Sequence, residues 1–266
     1  MHSLQRNGIK LSFRSTEVGD PNLVFIHGWC CDHSYFGPQI SRFQSLDYRV
    51  MAVDLRGHGQ SAQPRQSYSM EVFADDVGWL CDELGMAKAY FIGHSMGGNV
   101  AYEVGRRRPD LAAGVVMIDS AVTRPAASRA AMEPFLRELE GSGYREALTS
   151  YVSNALAIPT DDRGRLAHIL EDMTSVPQHV MISAFEGLRD HDPASEGLRL
   201  ACAALYIAAS EPQPRCDVER LRQLVPGLAY GQVVGSGHFC QLEVPDQVNA
   251  MIERFLALQS KRDPHR

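Results

Sequence analysis

The 266-residue chain predicts an α/β fold, a mainly parallel central sheet flanked by helices with a helical insertion ahead of its last strands. Three observations carry this. Short apolar runs alternate with helical patterns along most of the length. Several of the runs are continuously apolar, as strands buried on both faces require. The alternation then stops between about Thr123 and Leu200, where helical segments follow one another without a convincing strand pair.

Taken in order, GIKLSFRS (8–15) alternates and reads as an antiparallel edge strand. LVFIHG (23–28), YRVMAVD (48–54), AYFIGHS (89–95), GVVMIDS (114–120), ALYIAAS (204–210) and AYGQVVGSGH (229–238) are the remaining strands. Residues 69–85 read as a helix opened by Ser69, and 97–109 as a second. The last helix is 244–259, with Pro245 in its first turn. This size suits one domain, with a core formed by 1–122 and 201–266 and a helical cap formed by 123–200.

Composition narrows the function classes. The chain has 26 Lys and Arg against 32 Asp and Glu, a net charge of −6 that speaks against a nucleic-acid partner. MHSLQRNGIKLSF lacks the apolar stretch of a secretory signal, and no run approaches transmembrane length. The expectation is a cytoplasmic protein with a small-molecule substrate and no membrane partner; nothing in the sequence sets an oligomeric state. Six scattered cysteines without a CxxC pair predict free thiols rather than a disulfide framework or zinc site. No GxGxxG follows the first strand and no metal-ligand cluster is visible, so no cofactor and no metal are expected.

Chemistry concentrates at FIGHSMGGN (91–99). Gly-x-Ser-x-Gly is a weak signal alone, but here a strand precedes Ser95 and a helix follows Met96. A tight turn in that setting pushes the serine hydroxyl out at the carboxyl end of the sheet, beside a helix N-terminus. A serine nucleophile needs a base, and His238, in the glycine-bracketed loop GSGHF after the last strand, is the best placed of ten histidines. An oxyanion needs donors, which the backbone N–H groups of Trp29, in HGWC, and Met96 supply. The base needs an acid to orient it. Asp119, at the end of GVVMIDS, is the preferred acid. Glu211, in the turn Ala208-Ala209-Ser210-Glu211-Pro212, is the alternative. Asp75 and Asp76 lie on a helix, where local capping or pairing is expected.

HGWCCDH, DLRGHGQS (54–61), GHSMGG and GSGHF, in this order and spacing, resemble the α/β-hydrolase fold superfamily. The resemblance covers nearly all of the chain except the insertion. It implies a Ser95–His238–acid triad and hydrolysis of a carboxylic ester, lactone or related acyl compound through an acyl-enzyme. Serine at 95 argues against the dehalogenase and epoxide hydrolase branches, which carry an aspartate there. A secondary resemblance, in Gly28-Trp29-Cys30, Asp32-His33, Asp119 and Ser-Glu-Pro (210–212), is to the cofactor-free dioxygenases that cleave 3-hydroxy-4-quinolones. That resemblance implies His238 as base, Asp119 as its partner, Ser95 as a hydrogen-bonding group and Trp29 near the hole. Met96 departs from it, since those enzymes carry a second histidine after the serine. A non-catalytic ligand receptor on the same fold is the third reading.

Overall fold

The computed structural model describes residues 1–124, 126–211 and 215–261; Pro212 of the expected acid turn lies outside them. Eight strands form one sheet in the order β1-β2-β4-β3-β5-β6-β7-β8. They are β1 (His2–Arg6), β2 (Ile9–Ser15), β3 (Asn22–Ile26), β4 (Arg49–Asp54), β5 (Ala89–His94), β6 (Ala112–Ile118), β7 (Ala203–Ala208) and β8 (Ala229–Gln232). From β4 to β8 every pairing is parallel, and β1 and β2 add an antiparallel edge.

Strand β1 was not among the expected elements. It forms a hairpin with β2 around Asn7-Gly8, whose φ angles of 50° and 80° are those of a type I′ turn. Strand β8 is shorter than the predicted 229–238. Beyond it the backbone bonds elsewhere: the Gly237 N–H donates to Asp161 Oδ1 at 2.8 Å and the His238 N–H to the Leu156 carbonyl at 2.9 Å.

The period of two along the strands divides the core between the sheet's faces. Leu23 and Phe25 of β3 join Ile92 of β5 on one face, while Val24 and Ile26 join Phe91 on the other. The first face is covered by α1 (Gly37–Gln44) and the C-terminal helix, through Ile40, Phe43, Ile252 and Phe255. The second is covered by α2 (Met70–Glu83) and α3 (Met96–Arg107), through Phe73, Val77, Val100 and Val104. Ser69 caps α2 by accepting from the Val72 N–H at 3.3 Å. Asp75 and Asp76 pair over long range rather than locally. Buried Asp76 binds Arg6 and Arg56, each at 2.6 Å, and Asp75 binds Arg107 at 2.8 Å. The inward turn of α2 thus carries Asp76 to arginines on β1 and the loop after β4.

Between β6 and β7 the chain forms α4 (Ala126–Ala130), α5 (Glu133–Glu140), α6 (Tyr144–Tyr151), α7 (Arg163–Ser175) and α8 (Gln178–Asp190). After β7 come α9 (Val218–Leu224), α10 (Cys240–Glu243) and α11 (Pro245–Ser260). Trp29 ties the inserted helices to the sheet. Its indole N–H donates to the Met181 carbonyl at 2.9 Å, and its ring packs on Phe185 with centroids 5.0 Å apart. Among the described residues no helix is long and apolar enough to cross a membrane.

Candidate active site

Strand β3 lies between β4 and β5, so the chain's direction of travel across the sheet reverses beside it. Open α/β sheets bind ligands at such a switch point, outside the carboxyl ends of the strands. Trp29 follows β3, Ser95 follows β5, Asp119 follows β6 and His238 lies beyond β8, all at that edge.

Ser95 stands between β5 and α3 with φ 53° and ψ −122°, a left-handed conformation costly for a side-chain-bearing residue. Its N–H is held by the Ile118 carbonyl at 2.9 Å. The helix behind it sits so close to the sheet that a Cβ on Gly97 would lie 2.0 Å from the Ile26 carbonyl oxygen. A Cβ on Gly98 would lie 1.7 Å from Ser120 Oγ. Glycines at these two positions let α3 start immediately after Ser95. The Met96 N–H is then the first of the helix, where no intrahelical acceptor exists.

His238 Nδ1 donates to Asp119 Oδ2 at 2.6 Å, and both side chains are buried. Among the described residues the ring's hydrogen bond is made through Nδ1 and none is made through Nε2. Asp119 has φ 43°, with its N–H on the Ile207 carbonyl at 2.7 Å; Oδ1 accepts from the Ala209 N–H at 3.1 Å. Burial alone would raise the Asp119 carboxyl, but the His238 hydrogen bond and the charges of His238 and Arg215 bring it down to about 2. Burial, and after it the Arg215 charge, hold the His238 imidazole below its ordinary 6.5 against the pull of Asp119. The imidazole is therefore neutral at pH 7, with Nε2 ready to accept a proton.

Glu211, the alternative acid, forms an ion pair with Arg215, and no bond joins it to His238 among the described residues. Arg215 was not singled out from the sequence. Its Nε donates to Asp119 Oδ2 at 2.9 Å and its Nη2 to the Ala155 carbonyl at 2.6 Å, so one guanidinium bridges both acids and the inserted segment. His94, next to the serine, donates from Nε2 to the His238 carbonyl at 2.8 Å, and burial keeps its ring neutral. It holds the His238 backbone, and its Nδ1 is buried without a hydrogen-bond partner among the described residues.

Trp29, Ser95, Met96, His238, Arg124 and Phe185 share one cavity of about 210 Å³. That is below the roughly 300–1,000 Å³ of pockets for drug-sized ligands. Tyr151, Met173 and Phe185 also line it, while Leu136 and Met181 are buried in the core. Two other groups have metal-ligand proximity, Asp32–His33–Asp54 and Glu71–Glu103–His191. In the first, Asp54 binds the His33 ring and the N–H groups of His33 and Gln60; in the second, Glu103 pairs with Arg106 and His191. Protein donors already answer these carboxylates.

Several known proteins are similar to this chain in sequence or fold. The chain is 40% identical over 99 residues to a non-heme chloroperoxidase of Streptomyces lividans, a match covering 37% of this chain and 36% of that one. A putative esterase/lipase of Haemophilus influenzae is 26% identical over 258 residues, 90% of this chain and 84% of its relative. The enol-lactonase of Burkholderia xenovorans LB400 superposes with a TM-score of 0.84 at 24% identity, over 96% of this chain and 100% of that one, a likeness of fold. The family model described as alpha/beta hydrolase fold matches residues 21–168, more than half of the chain, and the chain belongs to that family.

Proposed function

We propose that the protein is a serine hydrolase that cleaves a carboxylic ester, lactone or related acyl bond of a small molecule through an acyl-enzyme. The observation that carries this reading is the Asp119–His238 bond, which commits Nδ1 to the carboxylate and leaves Nε2 uncommitted in the cavity that also holds Ser95. In this reading His238 Nε2 takes the Ser95 proton as Oγ attacks the substrate carbonyl. Asp119 fixes the tautomer and stabilises the imidazolium that forms. The Trp29 and Met96 N–H groups hold the developing oxyanion, a contribution on the order of 3 kcal/mol to the barrier. His238 then returns its proton to the leaving oxygen and activates the water that releases the acid. Residues 123–200 act as the cap, whose Tyr151, Met173 and Phe185 shape the acyl pocket.

The esterase and lactonase names among the relatives support the same class of reaction. A fluorophosphonate probe followed by peptide mass spectrometry tests it. A covalent adduct is expected on Ser95 in the wild type and at a much reduced level in His238→Ala. No adduct on Ser95 would overturn the reading.

A further inference from the structure

Arg124 lies six residues beyond the end of β6 and lines the same cavity as Ser95 and His238. Its Nη1 donates to the Leu188 carbonyl at 2.8 Å and points toward Met132 Sδ at 3.4 Å. Among the described residues Nε and Nη2 have no hydrogen-bond partner and no carboxylate pairs with the guanidinium.

Three other partly buried arginines differ, while half-buried Arg49, remote from this cavity, also bonds only carbonyls. Arg56 is paired with Asp76, Arg106 with Glu103, and Arg215 with Asp119 and Glu211. The charged arginines that act on Arg124 are Arg129 and Arg215, and carboxylates already answer both of these, Arg129 through Asp192 at 2.7 Å. Burial first, opposed by Tyr151 and Cys216 and reinforced by the two cations, lowers the Arg124 guanidinium to about 10, so it stays charged at neutral pH. A cation withdrawn from water without a counter-charge is costly. The unanswered edge, Nε beside Nη2, is the side of the fork that takes a carboxylate with two parallel bonds. Arg106 uses that same edge on Glu103.

We infer that Arg124 is an anion-binding site within the cavity, and that the ester or lactone cleaved there carries a carboxylate. This rests on the hydrolase reading for the reaction, but not for the binding. Arg215 is committed to Asp119 and Glu211 and does not serve this purpose. Cleavage of such an ester gives a dicarboxylate and an alcohol when the carboxylate is on the acyl part, or a carboxylic acid and a hydroxy acid when it is on the alcohol part; a lactone gives a single hydroxy dicarboxylate.

Monomethyl succinate and methyl levulinate form a test pair, of equal length and differing in a carboxylate against a methyl ketone. The wild type is expected to favour monomethyl succinate in kcat/KM by at least about 10-fold. Arg124→Met should cut that preference by about 10- to 100-fold, the worth of a hydrogen-bonded charge pair, and Arg124→Lys should give an intermediate value. In parallel, millimolar succinate should raise the Tm of the wild type and of Ser95→Ala, and should not raise that of Arg124→Met. If Arg124→Met does not fold, Arg124→Lys against the wild type carries both comparisons. An unchanged substrate preference, or no succinate effect on the wild type, overturns the anion site. Succinate binding that depends on Arg124, with no turnover of either ester and no probe adduct on Ser95, would instead sink the hydrolase reading and leave the anion site standing.

Discussion

His238 with Asp119 and Arg215, and His191 with Glu103 and Arg106, are built from the same three groups and differ in what the histidine has left to offer. In the first, the His238–Asp119 bond is 2.6 Å and Arg215 supports the carboxylate at 2.9 Å. In the second, the His191–Glu103 bond is 3.0 Å and Arg106 supports the carboxylate at 2.6 Å. Both histidines are buried, and both carboxylates are held below their ordinary values against the upward push of burial. The second ring nitrogen separates them. His191 Nδ1 accepts from Asn99 Nδ2 at 3.0 Å, which places the proton on Nε2 toward Glu103, so both ring nitrogens are engaged. His238 Nε2 has no such partner among the described residues and stands in the cavity with Ser95. A buried histidine–acid pair is thus structural by default, and a free nitrogen in a cavity shared with a serine makes it a candidate base.

The largest expected effects break that comparison if they fail to separate the two clusters. His238→Ala and Asp119→Asn should each lower kcat/KM on a small aryl ester by about 10³- to 10⁴-fold, through loss of the base or of its tautomer. His191→Ala should leave kcat at the order of the wild type. A comparable loss of kcat in His191→Ala, measured in the folded fraction, would show that the second cluster takes part in the chemistry.

Stability should rank the clusters the other way. Glu103→Gln leaves both His191 and Arg106 without their carboxylate inside the helix packing. Removing one member of a buried pair costs about 3–5 kcal/mol, and the part-exposed Arg106 sets the low end, about 3 kcal/mol. Asp119→Asn should cost less, since Arg215 keeps Glu211 and the Ala155 carbonyl. Urea denaturation of the two variants checks the order, and a more damaging Asp119→Asn would reverse it.

What the sequence makes legible follows the range of the interactions. The serine elbow is local: a strand, two close-packed glycines and a helix start are consecutive, so Ser95 and Met96 can be located from residues 89–99 alone. Asn7-Gly8 is equally local, a two-residue turn signal that marks the β1–β2 hairpin. The end of β8 is not local, because Asp161 and Leu156 of the insertion draw the 237–238 backbone away from the sheet. Arg124 and Arg215 are the least legible. Both sit in irregular segments with no period or motif, and only the convergence of loops after β6 and β7 brings them to one cavity. Asp119 gains a second partner in Arg215 that no spacing rule foretells, and Glu211 is engaged by the same side chain.

The two arginines give the finest test of the comparison. Arg215 bonds to Asp119 and, after burial, is the largest influence holding the His238 imidazole below 6.5. Proton acceptance needs the neutral ring, so activity falls as pH drops through the His238 value, and the acidic limb of kcat/KM should lie below pH 6.5. Arg215→Met removes a positive charge near the ring and exposes it to the unbalanced charge of Glu211. Both changes favour the imidazolium, so the His238 value rises and the acidic limb moves to higher pH. Arg106→Met alters only the cluster whose histidine has both nitrogens engaged, and the limb should stay where it is. The pH dependence of kcat/KM for the three proteins decides the point. A limb that moves equally in both variants would mean that general loss of charge or packing, rather than the contact with Asp119, sets the base.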